Sequence, residues 1–156
     1  MGEVEIGFGA TADGFDNIAA GPVSSAHGFR NTALDTASFV TGRENIGAWG
    51  ALVGGYKNEV LGDTSFAVGR NHSVTGKNSA ALNNNNTASG ENSFASGSNT
   101  ISAGKSSHTE GSGTKVYSNF GHAEGQSTTV GIDGADPANV GVGAHAEGYL
   151  TEATGN

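Results

Sequence analysis

The stretch TSFAVGRNHSVTG, residues 64–76, decides the fold of this 156-residue chain. It ends on a glycine and carries another seven residues earlier, and this spacing recurs through the sequence. Counted in sevens around two interruptions, glycine fills 16 of 19 such positions. Ala or Val stands two residues before the glycine position in 16 of these units, and Ser, Asn or Thr stands four before it in 13. A disordered low-complexity segment has no physical reason to keep such a phase.

Each unit of seven predicts one short strand and one turn. Alternate side chains of a strand face the same side, so the residues at −4, −2 and 0 share one face. All are small, so this face can lie close against another backbone. Gly, and Asn two residues later as at Asn71 and Asn78, tolerate the left-handed backbone of a tight turn. Two units would close a flat 14-residue coil, and coils would stack about 4.8 Å apart. The sequence therefore predicts an all-β, parallel β-roll solenoid.

Composition agrees with a fold that needs few large side chains. Val, Ile, Leu and Phe account for only 28 residues, which is too few for an ordinary globular core. With no Cys, the chain can form neither disulfides nor thiolate metal sites. The net charge of −8 and the seven scattered Lys and Arg residues argue against nucleic-acid binding. Without an apolar run long enough to cross a bilayer, membrane insertion is not expected.

The residues at −3 and −1 point away from the small-residue face and alternate between apolar and polar pairs. Thr11 and Asp13 are polar, for example, whereas Phe66 and Val68 are apolar. One strand of each coil should then carry an apolar outer face, which must be buried. We expect sister copies to cover it in a homotrimer; the alternative is a neighbouring domain. The predicted interface residues are Val4, Ile6, Ile18, Leu52, Phe66, Val68, Leu82, Phe94, His108, Glu110, His122, Glu124, His145 and Glu147.

The alternation continues through the two interruptions only if each holds extra residues. The first gap fits one unit plus about six residues, which predicts an inserted loop within residues 43–49. The second fits two units plus about nine, which places an inserted loop at residues 132–140, where Gly134 and Pro137 favour turns. We therefore expect residues 1–156 to form a single β-roll domain with two inserted loops.

The sharpest local motif is His-x-Glu-Gly, which begins at His108, His122 and His145. His108 and His122 are two units apart, so they should stack in neighbouring coils, as should Glu110 and Glu124. By phase they fall at the predicted subunit junction. Three arrangements are open: hydrogen bonds between chains, a water-filled junction, or a divalent metal held on the axis by His108, His122 and His145. With hydrogen bonds or a metal there, protonation of histidine should make the C-terminal third acid-sensitive.

Other candidate chemistry is weaker. Nothing resembles a catalytic nucleophile motif, and we expect no enzymatic activity. His27 and His72 fall where surface roles are expected. Trp49 and Tyr56 flank the first predicted insertion, and their aromatic faces suit contact with a sugar or a protein receptor, although packing in the core or at the interface is the more common role for such residues.

The repeat resembles the head domains of trimeric autotransporter adhesins of the YadA type, whose pattern is close to NSVAIGxxSxAxG. Residues 64–76 follow this pattern, residues 92–97 are a further copy, and the resemblance covers roughly residues 1–125 and 141–156. It implies a left-handed parallel β-roll that forms an obligate trimer, with the bulky −3 and −1 residues at its centre. Such heads occur on bacterial adhesins and on phage tail fibres. The HAEG units at 122–125 and 145–148 are similar to those of the phage-type proteins.

The resemblance implies a non-enzymatic, structural and adhesive role in attachment to a host. Because the start lacks the features of a secretory signal and no stalk or anchor is apparent, a phage or prophage tail fibre or appendage is the leading expectation. The alternatives are a head fragment of a bacterial surface adhesin, an ice- or crystal-binding solenoid with a regular Thr array, and a sugar-cleaving tailspike domain. The expected location is a virion tail fibre or the cell surface, with a glycan or protein receptor as partner and no cofactor except the axial metal.

Overall fold

A computed structural model describes residues 7–155 of the chain, and all of its regular structure is β. Val4 and Ile6 lie outside the described residues. Twenty strands form two ten-stranded parallel sheets, one of five-residue strands and one of two-residue strands. The long strands are β1 (Thr11–Phe15), β3 (Ser25–Phe29), β5 (Phe39–Arg43), β7 (Leu52–Tyr56), β9 (Phe66–Arg70), β11 (Ala80–Asn84), β13 (Phe94–Ser98), β15 (His108–Ser112), β17 (His122–Gln126) and β19 (His145–Tyr149). The short strands are β2 (Ile18–Ala19), β4 (Thr32–Ala33), β6 (Ile46–Gly47), β8 (Glu59–Val60), β10 (Ser73–Val74), β12 (Thr87–Ala88), β14 (Ile101–Ser102), β16 (Lys115–Val116), β18 (Thr129–Val130) and β20 (Glu152–Ala153). The described range holds no helix of the length and apolarity that crossing a membrane requires.

Successive coils stack in register, and most of them contain two full units of the sequence repeat. Phe66 of β9 pairs with Ala80 of β11, which pairs with Phe94 of β13. Nine steps between ten coils make a rod about 43 Å long at the usual strand spacing of about 4.8 Å. The predicted parallel β-solenoid with 14-residue coils is therefore confirmed, although the two halves of a coil differ in strand length.

Small side chains fill the space between the two sheets. From Ala19 to Ala146 the residues two before each glycine position are buried, and most of them are Ala or Val in columns such as Ala67, Ala81 and Ala95. The glycines are required by close approach of the backbones. At Gly97 the backbone has φ +110°, and an added Cβ would lie 1.9 Å from the carbonyl oxygen of Gly111 in the next coil. The small-residue face predicted from the sequence is thus the interior of the coil.

A ladder of buried polar side chains runs along the turn between the long and short strands. The Asn31 backbone N–H donates to Asn17 Oδ1 at 2.9 Å, and Asn31 Nδ2 donates to the carbonyl oxygens of His27 and Gly42, both at 2.8 Å. Each amide therefore ties its own coil to the coils on either side, and no backbone group it touches needs water. The ladder consists of Asn17, Asn31, Asn45, Asn58, His72 and Asn86. Thr100, Thr114 and Thr128 continue the buried column, but within residues 7–155 their side-chain hydroxyls have no hydrogen-bond partner.

His72 is a member of this ladder, so its predicted surface role is wrong. The residue is 2% exposed. Its Nδ1 accepts from the backbone N–H of Asn86 at 3.2 Å, which leaves the proton on Nε2, 3.3 Å from the Val68 carbonyl oxygen. Burial lowers the pKa of His72, because desolvation disfavours the charged ring more than its hydrogen bonds to backbone favour it.

Replacing His72 with asparagine should reduce the acid sensitivity of the fold. Since the pKa of His72 is lower in the folded chain than the unfolded value of 6.5, unfolding takes up a proton below that pH. Stability is then lost as pH falls through 6.5 towards the folded pKa, at up to about 1.4 kcal/mol per pH unit for one proton. Urea unfolding at pH 7.5 and 5.5 should show a smaller loss in His72→Asn than in the unsubstituted chain. Equal losses would contradict this account, because all other histidines are the same in both proteins.

The first interruption is a shortened coil, so the insertion predicted within residues 43–49 is wrong. Gly42 pairs with Gly55, so this coil lacks one residue of a regular coil. The missing residue lies in the turn after β6, where residues 48–51 connect the strands and other coils, such as 20–24, use five residues. The glycine spacing fits two explanations equally well: a coil that lacks one residue, or one seven-residue unit with six inserted residues. The glycine positions alone do not distinguish between them.

The second interruption is an inserted segment. His122 of β17 pairs with His145 of β19, nine positions further along the chain than a regular coil would place the partner. Residues 131–144 connect β18 to β19 through a series of turns, which is where the sequence places its second loop. The segment folds back on the preceding coil, because the Asn119 N–H donates to the Pro137 carbonyl oxygen at 2.9 Å. Burial, and then the charge of Asp133, raise the pKa of Tyr117 beneath it.

Candidate functional site

An apolar column runs along the outer face of the long-strand sheet. Its members come from the first and third residues of consecutive long strands, which stack in register. We call this set the apolar column; it consists of Phe39, Leu52, Phe66, Val68, Leu82 and Phe94. Phe39, Leu52 and Val68 remain 42–45% exposed in the single chain. The sequence analysis did not include Phe39, because it assumed one apolar phase from residue 7 onward and this counted the unit ending at Gly42 as polar.

Ile18 does not belong to this column, so its predicted place there is wrong. It lies on β2 in the short-strand sheet, whereas Phe66 lies on β9 in the other sheet. Leu34 and Leu61 also project from the short-strand side and are exposed. The apolar outer surface therefore changes sheets along the rod. The shortened coil still stacks long strands on long strands. The backbone therefore does not change along the rod; what changes is which of the two sheets carries the apolar outer side chains.

A column of imidazole rings continues the apolar column towards the C-terminus. The Phe94 ring lies 5.0 Å from that of His108, which lies 4.7 Å from that of His122. His122 in turn stacks on His145, with ring centroids 4.6 Å apart and planes 13° apart. The predicted stacking of His108 on His122 and of Glu110 on Glu124 is confirmed by their strand register.

The carboxylates beside these rings leave two imidazole nitrogens unpaired. Within residues 7–155, Nε2 of His108 and Nε2 of His122 are shielded from solvent and have no hydrogen-bond partner. Glu110 Oε2 is 3.8 Å from His108 Nε2, too far for a hydrogen bond. Burial, and then the neighbouring His108 and His145, lower the pKa of His122. We call His108, Glu110, His122, Glu124, His145 and Glu147 the His–Glu stack; it places the unpaired Nε2 atoms of His108 and His122 next to carboxylates.

The edge of the rod between the long and short strands carries aromatic and cationic side chains in alternation. Arg43 lies over the ring of Phe29 at 5.4 Å and over that of Tyr56 at 5.5 Å, and Lys57 lies over Tyr56 at 5.2 Å. The Tyr56 hydroxyl and the Glu44 carboxylate raise the pKa of Lys57. Four of the seven Lys and Arg residues of this acidic chain lie here. The aromatic-cationic edge consists of Phe15, Phe29, Arg30, Arg43, Tyr56, Lys57 and Arg70.

Trp49 and Tyr56, the two residues predicted to contact a receptor, lie on opposite edges of the rod. Trp49 is 47% exposed in the shortened turn that leads from β6 to β7. Tyr56 ends β7, at the aromatic-cationic edge. The structure therefore does not combine them into one site, and their supposed link, an inserted loop, is absent. Tyr56 has aromatic and cationic neighbours that the seven-residue pattern did not reveal.

Comparison with protein-family models and with curated protein sequences finds no match for this chain. The functional conclusion consequently depends on the geometry of the apolar column, the His–Glu stack and the aromatic-cationic edge.

Proposed function

We propose that this chain is a non-enzymatic rod domain of a homotrimeric fibre, with a mechanical and adhesive role in attachment to a host cell. The single observation that carries the proposal is the apolar column on a rod whose two sheets enclose only small side chains. Exposed apolar surface that continues over many ångströms is typical of an interface.

Sister copies are the occupants that fit this column best. The column is straight and repeats with the coil spacing, so an identical rod placed alongside presents an apolar residue at each matching level. Symmetric association of identical chains is the usual solution for such a surface. The resemblance to YadA-type heads implies a trimer of left-handed β-rolls with the bulky −3 and −1 residues at its centre, which would place these same positions at the axis. We extend the interface through His108, His122 and His145, which continue the column.

The aromatic-cationic edge supports an adhesive role. Aromatic faces such as that of Tyr56 suit the apolar faces of sugar rings. Arg43 and Lys57 pair with Glu44 at 3.1 and 3.7 Å, and they can exchange this partly exposed partner for a carboxylate or phosphate substituent of a ligand. An acidic cell-surface glycan is therefore the ligand class we propose. Three copies of the edge in one fibre would add avidity to weak individual contacts. A phage or prophage tail fibre is the setting we favour, with a bacterial trimeric adhesin head as the alternative.

Binding to an array of neutral and acidic glycans tests the adhesive part. We expect the unsubstituted protein to bind acidic glycans, and Tyr56→Ala to lower the signal by about tenfold, since loss of one stacking contact multiplies over three copies. Tyr149→Ala is the matched control, because Tyr149 holds the same strand position in its coil but pairs with Gln126. Trp49→Ala, on the opposite edge, should bind normally. Equal binding by Tyr56→Ala and the unsubstituted protein would refute the proposed contact surface.

A further inference from the structure

The His–Glu stack holds ligand atoms close enough together to form a metal site within a single chain. The ligand atoms of His122, Glu124 and His145 all lie within 4.8 Å of one another. These residues occupy neighbouring coils, because β17 pairs in register with β19 and places His122 beside His145 and Glu124 beside Glu147. Two long strands of the same sheet thus supply the set.

A second observation points to a ligand at this place. Within residues 7–155, Nε2 of His122 is shielded from solvent and has no hydrogen-bond partner. An unpaired polar atom in such a position costs free energy unless something binds it.

We infer that His122, Glu124 and His145 bind a divalent transition-metal ion, one per chain, between the ninth and tenth coils. Two imidazoles and one carboxylate are ligands that suit Zn²⁺, Co²⁺ and Ni²⁺, whereas Mg²⁺ prefers oxygen ligands alone. Bonds of about 2.1 Å hold two ligand atoms of one ion no more than about 4.2 Å apart, so binding draws these atoms together by side-chain rotation. Water can complete the coordination. The site uses one chain and does not depend on the proposed trimer, in contrast to an ion shared on the axis.

An ion at this position would hold the last coil against the coil before it. The inserted segment, residues 131–144, separates β18 from β19 in the chain. An ion that joins His122 of β17 to His145 of β19 bridges the two strands directly across the sheet. We therefore expect Zn²⁺ to raise the thermal midpoint of unfolding as its concentration exceeds the dissociation constant.

Calorimetric titration of the folded protein with ZnCl₂ tests the inference. We expect one Zn²⁺ per chain, no comparable heat with MgCl₂, and visible absorption bands when Co²⁺ is added. His122→Gln should weaken Zn²⁺ binding by more than about tenfold, because even residues that only support a ligand are worth that much. Glu124→Gln should weaken it as well.

His27→Gln is the matched control. His27 also lies on the outer face of a long strand, with its ring 5.7 Å from that of Phe39, but far from the stack. It should bind Zn²⁺ like the unsubstituted chain. Circular dichroism shows whether each variant is folded. Unchanged Zn²⁺ binding in a folded His122→Gln variant, no Zn²⁺ binding by the unsubstituted chain, or one ion per three chains would each overturn the single-chain site.

Discussion

The Gly97→Ala variant is expected to lose more than about 4 kcal/mol of folding free energy, or not to fold, which places it among the most damaging single substitutions. The added Cβ would lie 1.9 Å from the Gly111 carbonyl oxygen, and φ at this position is +110°. To remove this clash, the two coils would have to move apart here by roughly a quarter of the strand spacing of about 4.8 Å. This separation would break the backbone hydrogen bonds between their strands. Urea or thermal unfolding followed by circular dichroism measures the loss.

Gly113→Ala separates the effect of close approach from the effect of φ. Gly113 also has a left-handed backbone, with φ +68°, but the nearest atom to its added Cβ is Ser127 Oγ at an ordinary 3.6 Å. We expect a cost of about 1–2 kcal/mol, that of placing an L-residue in this region. Similar losses in the two variants would show that coil-to-coil contact does not explain the repeated glycines.

Phe66→Glu should convert the proposed trimer into single chains. Phe66 lies near the middle of the apolar column, and three copies would bring three carboxylates together in a surface that otherwise excludes water. Burying such charges without partners costs several kcal/mol per ion, more than the burial of one apolar side chain contributes. Sedimentation velocity, with circular dichroism to verify the fold, should show the change.

Thr75→Glu is the control for the added charge. Thr75 follows β10 in the same coil and is exposed on the short-strand side. This variant should keep the sedimentation behaviour of the unsubstituted protein. If Phe66→Glu keeps it too, the apolar column is not the interface.

The seven-residue repeat was predictable from the sequence because the structure depends on the close approach of the backbones of neighbouring coils. Glycine recurs where the next backbone lies near the missing Cβ, as at Gly69, where the Asn83 carbonyl oxygen would be 2.1 Å away. Ala and Val recur two residues earlier because the gap between the sheets admits little more. These are steric requirements at fixed spacing, so they leave a direct mark on residue type. The stacking of His108 on His122 followed from the same period.

The shortened coil and the change of apolar face were not predictable from the spacing of the glycine, Ala and Val positions. Glycine spacing does not distinguish a turn that lost a residue from an inserted loop, and the outer side chains were wrongly assumed to keep one apolar phase throughout. A signal was present at Asp35 and Ser118, two of the three residues that replace glycine; the third, Asn83, lies in β11 between two regular coils. Asp35 and Ser118 each stand in the turn directly before an irregular one, at residues 48–51 and 131–144. We infer that these irregular turns leave room for the Cβ atoms.

The position of His72 illustrates a different limit. Three residues after the glycine position, Asn and His look like ordinary turn residues with polar, exposed side chains. In the structure this turn directs them inward, where Asn58 Oδ1 accepts from the His72 backbone N–H at 3.0 Å. The residue type shows that a side chain needs a hydrogen-bond partner. It does not show whether that partner is water or a group in the neighbouring coil. The aromatic-cationic edge escaped notice for a related reason, since Arg43 and Tyr56 meet only because their coil is shortened.

Sedimentation equilibrium of the unsubstituted chain tests most directly whether the apolar column joins three rods. One chain has a mass of 15.5 kDa. We expect a single species with three times this mass over a wide range of protein concentration. A well-folded species that stays at the mass of one chain would contradict it.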